Sequence, residues 1–210
     1  MIGALLGLAA CIGKQTVTET MMIRSTDASK TLAISQGAER VIVRRLGAAG
    51  FKGATAAAIP TSAKTATLTV NVQTDAAAAK TKEILAEPFT FDIRIEEPKS
   101  GSGDSDWIPT SITGDMLDWV QVIGDRNTGK IGIELQFSHA GQIALKSVFK
   151  KNVGKDIGIF VRDLLVSKLK IKNSVVSDRV VISGVPSEVV ASIFADDVNV
   201  GLHTIFTPIP

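Results

Sequence analysis

Few residues of this 210-residue chain have the type and spacing that reaction chemistry needs. The single cysteine, Cys11, has no second cysteine for an internal disulfide and cannot build a cysteine-based zinc site. His139 and His203 are isolated, with no H-E-x-x-H or paired-cysteine pattern near them, so each reads as a surface or turn residue. Ser183-Gly184 is not a nucleophile elbow, and Gly124 to Lys130 (GDRNTGK) lacks the hydroxyl residue and the full spacing of a P-loop. Asp196 and Asp197 are adjacent carboxylates, but neighbours on a helix point in different directions, so a solvated helix end is expected instead of a shared acid–base site. The expectation is a protein that is not an enzyme, uses no cofactor and holds no metal.

Charge excludes another class. With 23 basic and 21 acidic residues the net charge is +2, and no basic run is interleaved with aromatic rings, so nucleic acid is not expected as a partner.

The elements that would carry any function are legible from periodicity. Thr16 to Ile23 reads as a strand with imperfect alternation, and Asp27 as the N-cap of a helix from Ala28 to Leu46, stopped by Gly47 or Gly50. Arg40, Arg44 and Arg45 fall in its last turns, where cations oppose the helix dipole. Ala54 to Ile59 is an ambiguous strand, and Thr65 to Gln73 alternates strictly. Asp75 caps a helix from Ala76 to Leu85, and Phe89 to Ile95 (FTFDIRI) alternates again. The order β-α-β-β-α-β is that of a ferredoxin-like split βαβ unit, spanning 14–97.

A stretch rich in Pro, Gly, Ser and charge, 98–110, reads as a linker, and a second, smaller α+β unit follows over 111–210. Its expected parts are strands at Trp119 to Ile123 and Lys130 to Phe137 and a helix from Ser138 to about Asn152, with Ile143, Ala144, Val148 and Phe149 inward. β-rich segments then run from Ile157 to Val161, Leu164 to Ile171 and Arg179 to Ser183. A helix from Pro186 to Ala195, with the proline in its first turn, and a terminal strand at Thr204 to Ile209 complete it. The fold class is therefore α+β.

Two resemblances give these units a context. Residues 1–13 are apolar or small up to Leu8-Ala9-Ala10-Cys11, which resembles a bacterial lipobox and implies a lipid on Cys11 and anchorage to a membrane; the other reading is a clipped membrane helix with an incidental cysteine. No later stretch approaches the ~20 apolar residues of a membrane span. Ile112-Thr113-Gly114-Asp115-Met116-Leu117, the run Ile133-Glu134-Leu135-Gln136-Phe137-Ser138-His139-Ala140-Gly141, Val153-Gly154-Lys155-Asp156-Ile157 and Arg179 to Gly184 are similar, in order and spacing, to motifs of the SecD family. Glu39-Arg40-Val41-Ile42-Val43-Arg44-Arg45-Leu46-Gly47 resembles that family's first-unit helix. In both units Gly47, Gly154 and Gly184 are read as helix or strand stops.

The resemblance implies a base beside the membrane and a head, with the C-terminal part able to return to the base. It also implies an extracytoplasmic or periplasmic location, contact with translocating polypeptide and with Sec translocase subunits, and no catalytic residues. The family's proton-coupled step belongs to transmembrane helices that this sequence does not include, so the chain is not expected to couple a proton gradient by itself. Leu164, Leu165, Val166, Leu169, Ile171, Val175 and Val176 form a run too apolar for a plain loop: either a polypeptide-binding surface or the filling of the head's core. The competing reading of function is a structural envelope lipoprotein that binds another protein or a cell-wall component.

Overall fold

Strand β1 (Gln15–Ile23) turns Val17, Met21 and Ile23 to a buried face, and its alternation is imperfect because the fourth residue on that face is Glu19. Helix α1 (Ala28–Ala48) follows, with the Asp27 carboxylate accepting from the Ser29 N–H. Gly50, at φ 90°, turns the chain out of the helix; Gly47 lies inside it and is not the stop. Next come β2 (Thr55–Ser62), β3 (Thr65–Val72) and α2 (Asp75–Ala86), whose N-cap is Thr74, with Asp75 in the first turn. The computed structural model describes residues 14–25, 27–98, 105–124, 129–172 and 179–209; Cys11, Val175, Val176 and residues 99–104 of the expected linker lie outside them.

The chain then leaves this unit. Strand β4 (Phe91–Pro98), expected as the fourth strand of the first sheet, instead pairs with β5 (Ser105–Thr113) on one side and β8 (Asp156–Val161) on the other. A short 3-10 turn at Gly114–Met116 leads into β6 (Leu117–Gly124), β7 (Ile131–Phe137) and α3 (His139–Lys151). After β8 come β9 (Leu164–Lys170), β10 (Arg179–Ser183), α4 (Glu188–His203) and β11 (Thr204–Pro208). The fourth strand of the first sheet is β11, antiparallel to β1, which gives the order β11-β1-β3-β2. That is the ferredoxin-like order, with the whole second unit inserted between α2 and the closing helix and strand. The expected boundary at residue 97 therefore does not hold: β4 belongs to the head, residues 105–110 are strand and not linker, and β11 belongs to the base.

The head consists of two antiparallel sheets, β5-β4-β8-β9 and β10-β7-β6, sharing one core of Phe91, Ile93, Ile95, Leu135, Ile157 and Ile159 with Leu145 of α3 and Ala191, Ala195 and Val198 of α4. In α3 the inward residues are Gly141 and Leu145, with Ala144, Val148 and Phe149 half-covered; Ile143, expected inward, is exposed. A side chain at Gly141 would meet the Met116 carbonyl, so this motif glycine is what lets α3 lie against the 3-10 turn. Helix α4 begins after the N-cap Ser187, leaving Pro186 outside it, and runs on to His203.

Glu19 gives a first test of this packing. It is 5% exposed, its Oε2 has no hydrogen-bond partner, and burial pushes its carboxyl above the usual range, against an opposing pull from Lys82. The folded state therefore holds this proton more tightly than the unfolded one. Its stabilising effect is complete below the ordinary glutamate range and is lost as the pH rises through the raised folded value. Glu19→Gln should raise the unfolding free energy at neutral pH by about 1 kcal/mol, and the gain should shrink as the solution is acidified. Urea melts of both proteins at neutral and mildly acidic pH would show it.

Candidate functional site

The apolar run of the head divides when it is placed in three dimensions. Hairpin β8–β9 closes through Arg162 and Asp163, both at positive φ (49° and 61°), as a two-residue turn of this twist requires. Beyond the turn Leu164 is 70% exposed, and Leu165 and Val166 are exposed as well. Leu169 packs partly against the head core and Ile171, 1% exposed, belongs to it, so these two fill the core while the first three are exposed. Strand β9 is the edge of its sheet, and among the described residues no strand pairs with its outer side.

Beside it, the outward face of the same sheet carries a second apolar layer that sequence patterning did not reveal. Trp107 meets Phe160 edge-on at 5.4 Å between centroids, and both lie with Leu165 over Gly158, where any side chain would collide with all three. Arg94 stacks on the Phe160 ring at 4.1 Å while its guanidinium donates to Asp92 and Asp163, which raises its pKa. Lys168 lies 5.7 Å from the Trp107 ring and pairs with Glu96 at 2.5 Å. The first half of β9 is thus flanked by rings and carries no charge, while Lys168 and Lys170 hold the second half.

The base–head junction is built on α4. One face of the helix enters the head core, whereas Val200 enters the base core beside α1. Asn199, buried between Val198 and Val200, accepts from the Val120 N–H (2.9 Å) and donates to the Val120 carbonyl (2.7 Å). Its amide thereby stands in for a neighbouring strand at the edge of β6. The arginines of α1 meet the carboxylates of α4 here: Arg40 holds Asp196 through two bonds of 2.7 Å, and Arg45 lies 3.5 Å from Asp197 and 2.8 Å from Glu87. Arg162, from the β8–β9 turn, reaches Asp197 at 2.6 Å and lies over the Phe89 ring at 4.9 Å. Asp196 and Asp197 are therefore not a solvated helix end, and Arg40 and Arg45 do more than oppose a dipole. A groove of about 370 Å³ opens between α1, β6 and α4, lined by Ile34, Gly37, Trp119, Val122, Ala195 and Asn199.

His203 ends α4 with Nε2 3.0 Å from the Asp118 carbonyl and its ring beside Trp119; burial lowers its pKa. His139, the first residue of α3, is exposed. Among the described residues no group of three His, Cys, Asp or Glu could hold a metal ion, and no helix is long and apolar enough to cross a membrane. Sequence reasoning missed Asn199 and the Arg162–Phe89 contact. The signal for the first was an amide set between two valines in an otherwise apolar turn.

Residues 107–201 match the family model of the SecDF P1 head subdomain. Three solved structures share the fold. A structure of a membrane component SecDF that enhances protein export aligns at 17% identity and TM-score 0.50, covering 92% of this chain and 99% of the other. SecDF in a super-membrane-facing form aligns at 18% identity and TM-score 0.52, covering 94% of this chain. SecDF of Thermus thermophilus, a translocon-associated membrane protein, aligns at 16% identity and TM-score 0.56, covering 93% of this chain. The chain spans 30% of the length of each of the last two. No curated protein matches the sequence. Residues 107–201 are thus similar to the SecDF P1 head subdomain, and the base sheet closed by β11 completes an overall fold shared with the SecDF structures.

Proposed function

We propose that this domain assists Sec-dependent protein export by binding polypeptide as it emerges outside the cytoplasmic membrane. It acts as a binding module and not as an enzyme, with other Sec translocase subunits as its neighbours. The observation that carries this reading is the exposed, uncharged start of β9, Leu164 to Val166, on a sheet edge of the head. A photo-crosslinking residue placed at Leu164 or Leu165 in cells exporting a secreted precursor should give precursor adducts, while one at Lys80 on α2 should give none. Adducts absent from both β9 positions would refute the proposal.

Lipid attachment at Cys11 is part of the same proposal and rests on Leu8-Ala9-Ala10-Cys11. Mass spectrometry of membrane-extracted protein should find acyl chains on Cys11; an unmodified cysteine with Met1 retained would remove this element.

A structural envelope protein remains the second reading, favoured by one feature. The outer face of the base sheet presents Thr16, Thr18, Thr20, Thr65, Thr67 and Thr69 side by side across β1 and β3, an uncharged face with no helix over it among the described residues. Adducts to a single envelope protein at Thr18 or Thr67, with none on β9, would decide for it.

A further inference from the structure

The edges of the three sheets are not treated alike. Among the described residues, β2 is interrupted by a bulge at Pro60, β5 carries Pro109 and a bulge, and β11 is five residues long and ends at Pro208. The outer side of β6 is occupied by Asn199, and β10 is only five residues long. Proline, bulges and short length are the usual means of keeping a sheet edge from pairing with another chain. Strand β9 is seven residues long and has no proline. A bulge after Leu165 and the lysines at 168 and 170 restrain its later part, but Leu164 to Val166 carry neither charge nor proline.

The two exposed leucines narrow what could cover this edge. Leu164 pairs with Val161 of the core-facing row, whereas Leu165 lies over Gly158 with Trp107 on the opposite face. Successive side chains of a strand point to opposite faces, so a helix or a flat surface docking on one face covers only one of them. A strand laid along the edge sets a side chain beside each. The backbone is available for it: Leu164 closes the two-residue hairpin, while the Ile171 N–H donates to the Lys155 carbonyl and the Ile171 carbonyl accepts from Gly154. By the alternation of an antiparallel ladder, the backbone groups of Leu165, Lys168 and Lys170 then face the open side.

We infer that β9 takes an extended, largely apolar polypeptide segment as the fifth strand of β5-β4-β8-β9. Backbone hydrogen bonds give affinity without sequence preference, and the two leucines favour apolar side chains on both faces of the incoming strand. This rests on the polypeptide-binding reading above and specifies its geometry.

The test uses the full chain and a fluorescein-labelled nine-residue peptide of alternating valine and alanine, beside the same peptide N-methylated at every residue so that neither of its edges can donate. The unmodified peptide should bind, and the amides of Leu165, Lys168 and Lys170 should exchange hydrogen roughly tenfold more slowly or better in its presence. The peptide methylated on its pairing amides should lose that binding and protection. Equal binding of both peptides overturns strand addition while leaving polypeptide capture standing, and binding of neither overturns both. Protection of the same amides in a concentration-dependent dimer without peptide would put a second copy of the chain on the edge and overturn the inference as well.

Discussion

Replacing Asn199 by alanine should lower the unfolding free energy by about 3 kcal/mol and the melting midpoint by roughly 6–12 °C, although the residue touches no proposed ligand. The reason is that its amide is the only described partner of two backbone groups, the Val120 N–H and carbonyl, at a strand edge enclosed by α4. Truncation leaves both buried and unsatisfied, and each such group costs about 1–3 kcal/mol. Aspartate should fare no better: a carboxylate accepts from the Val120 N–H but faces the Val120 carbonyl without a proton to give it. Thermal melts of Asn199→Ala and Asn199→Asp would check this. If the alanine variant melts within a degree or two of the parent, the amide is not the strut that joins α4 to the head sheet.

Gly201→Ala should destabilise by a similar amount, about 2–3 kcal/mol, for the opposite physical reason. A methyl group there would fall within the Phe89 ring, and the ring cannot step aside cheaply because the Arg162 guanidinium lies over it and is itself tied to Asp197. The collision is with the root of the ring and not with the tip of a flexible chain. A double-mutant cycle makes the prediction specific: in a Phe89→Leu background, Gly201→Ala should cost much less than in the parent. Additive effects of the two substitutions would show that the glycine is required for some other reason.

These two sites show what the sequence could and could not disclose. Strand β3 (TATLTVNV) was legible because one face of it is buried and the other wet, so its period of two appears in the chain. The alternation of β4 was equally legible, but periodicity reports which side of a strand is buried and not which strands lie beside it. The fourth place in the base sheet therefore went to the nearest alternating segment instead of to β11, which arrives from the far end of the sequence. In α3 Ile143 was expected inward and Leu145 was not; the approach of Gly141 to the 3-10 turn fixes the helix rotation that buries Leu145 instead. The β9 run was recognisable as apolar, yet β8 lies alongside it from Leu164 to Lys170, and what separates exposed Leu164 from buried Ile171 is that only the latter reaches the head core. Asp196 and Asp197 look solvated in isolation because their partners, Arg40, Arg45 and Arg162, come from the first unit's helix and from a turn of the second.

The closure of the base sheet by β11 has a consequence for how the protein is made. During synthesis β1, β3 and β2 can assemble early, but one margin of β1 stays bare until the head, α4 and β11 have left the ribosome and the head's core has had time to form. Zipping β11 onto β1 at Glu19 to Ile23 is then a late step that spans almost the full sequence, and it draws both ends of the head's excursion back to one platform. A force applied to the head would reach that platform through two strands of chain at once, one leaving α2 and one entering β11.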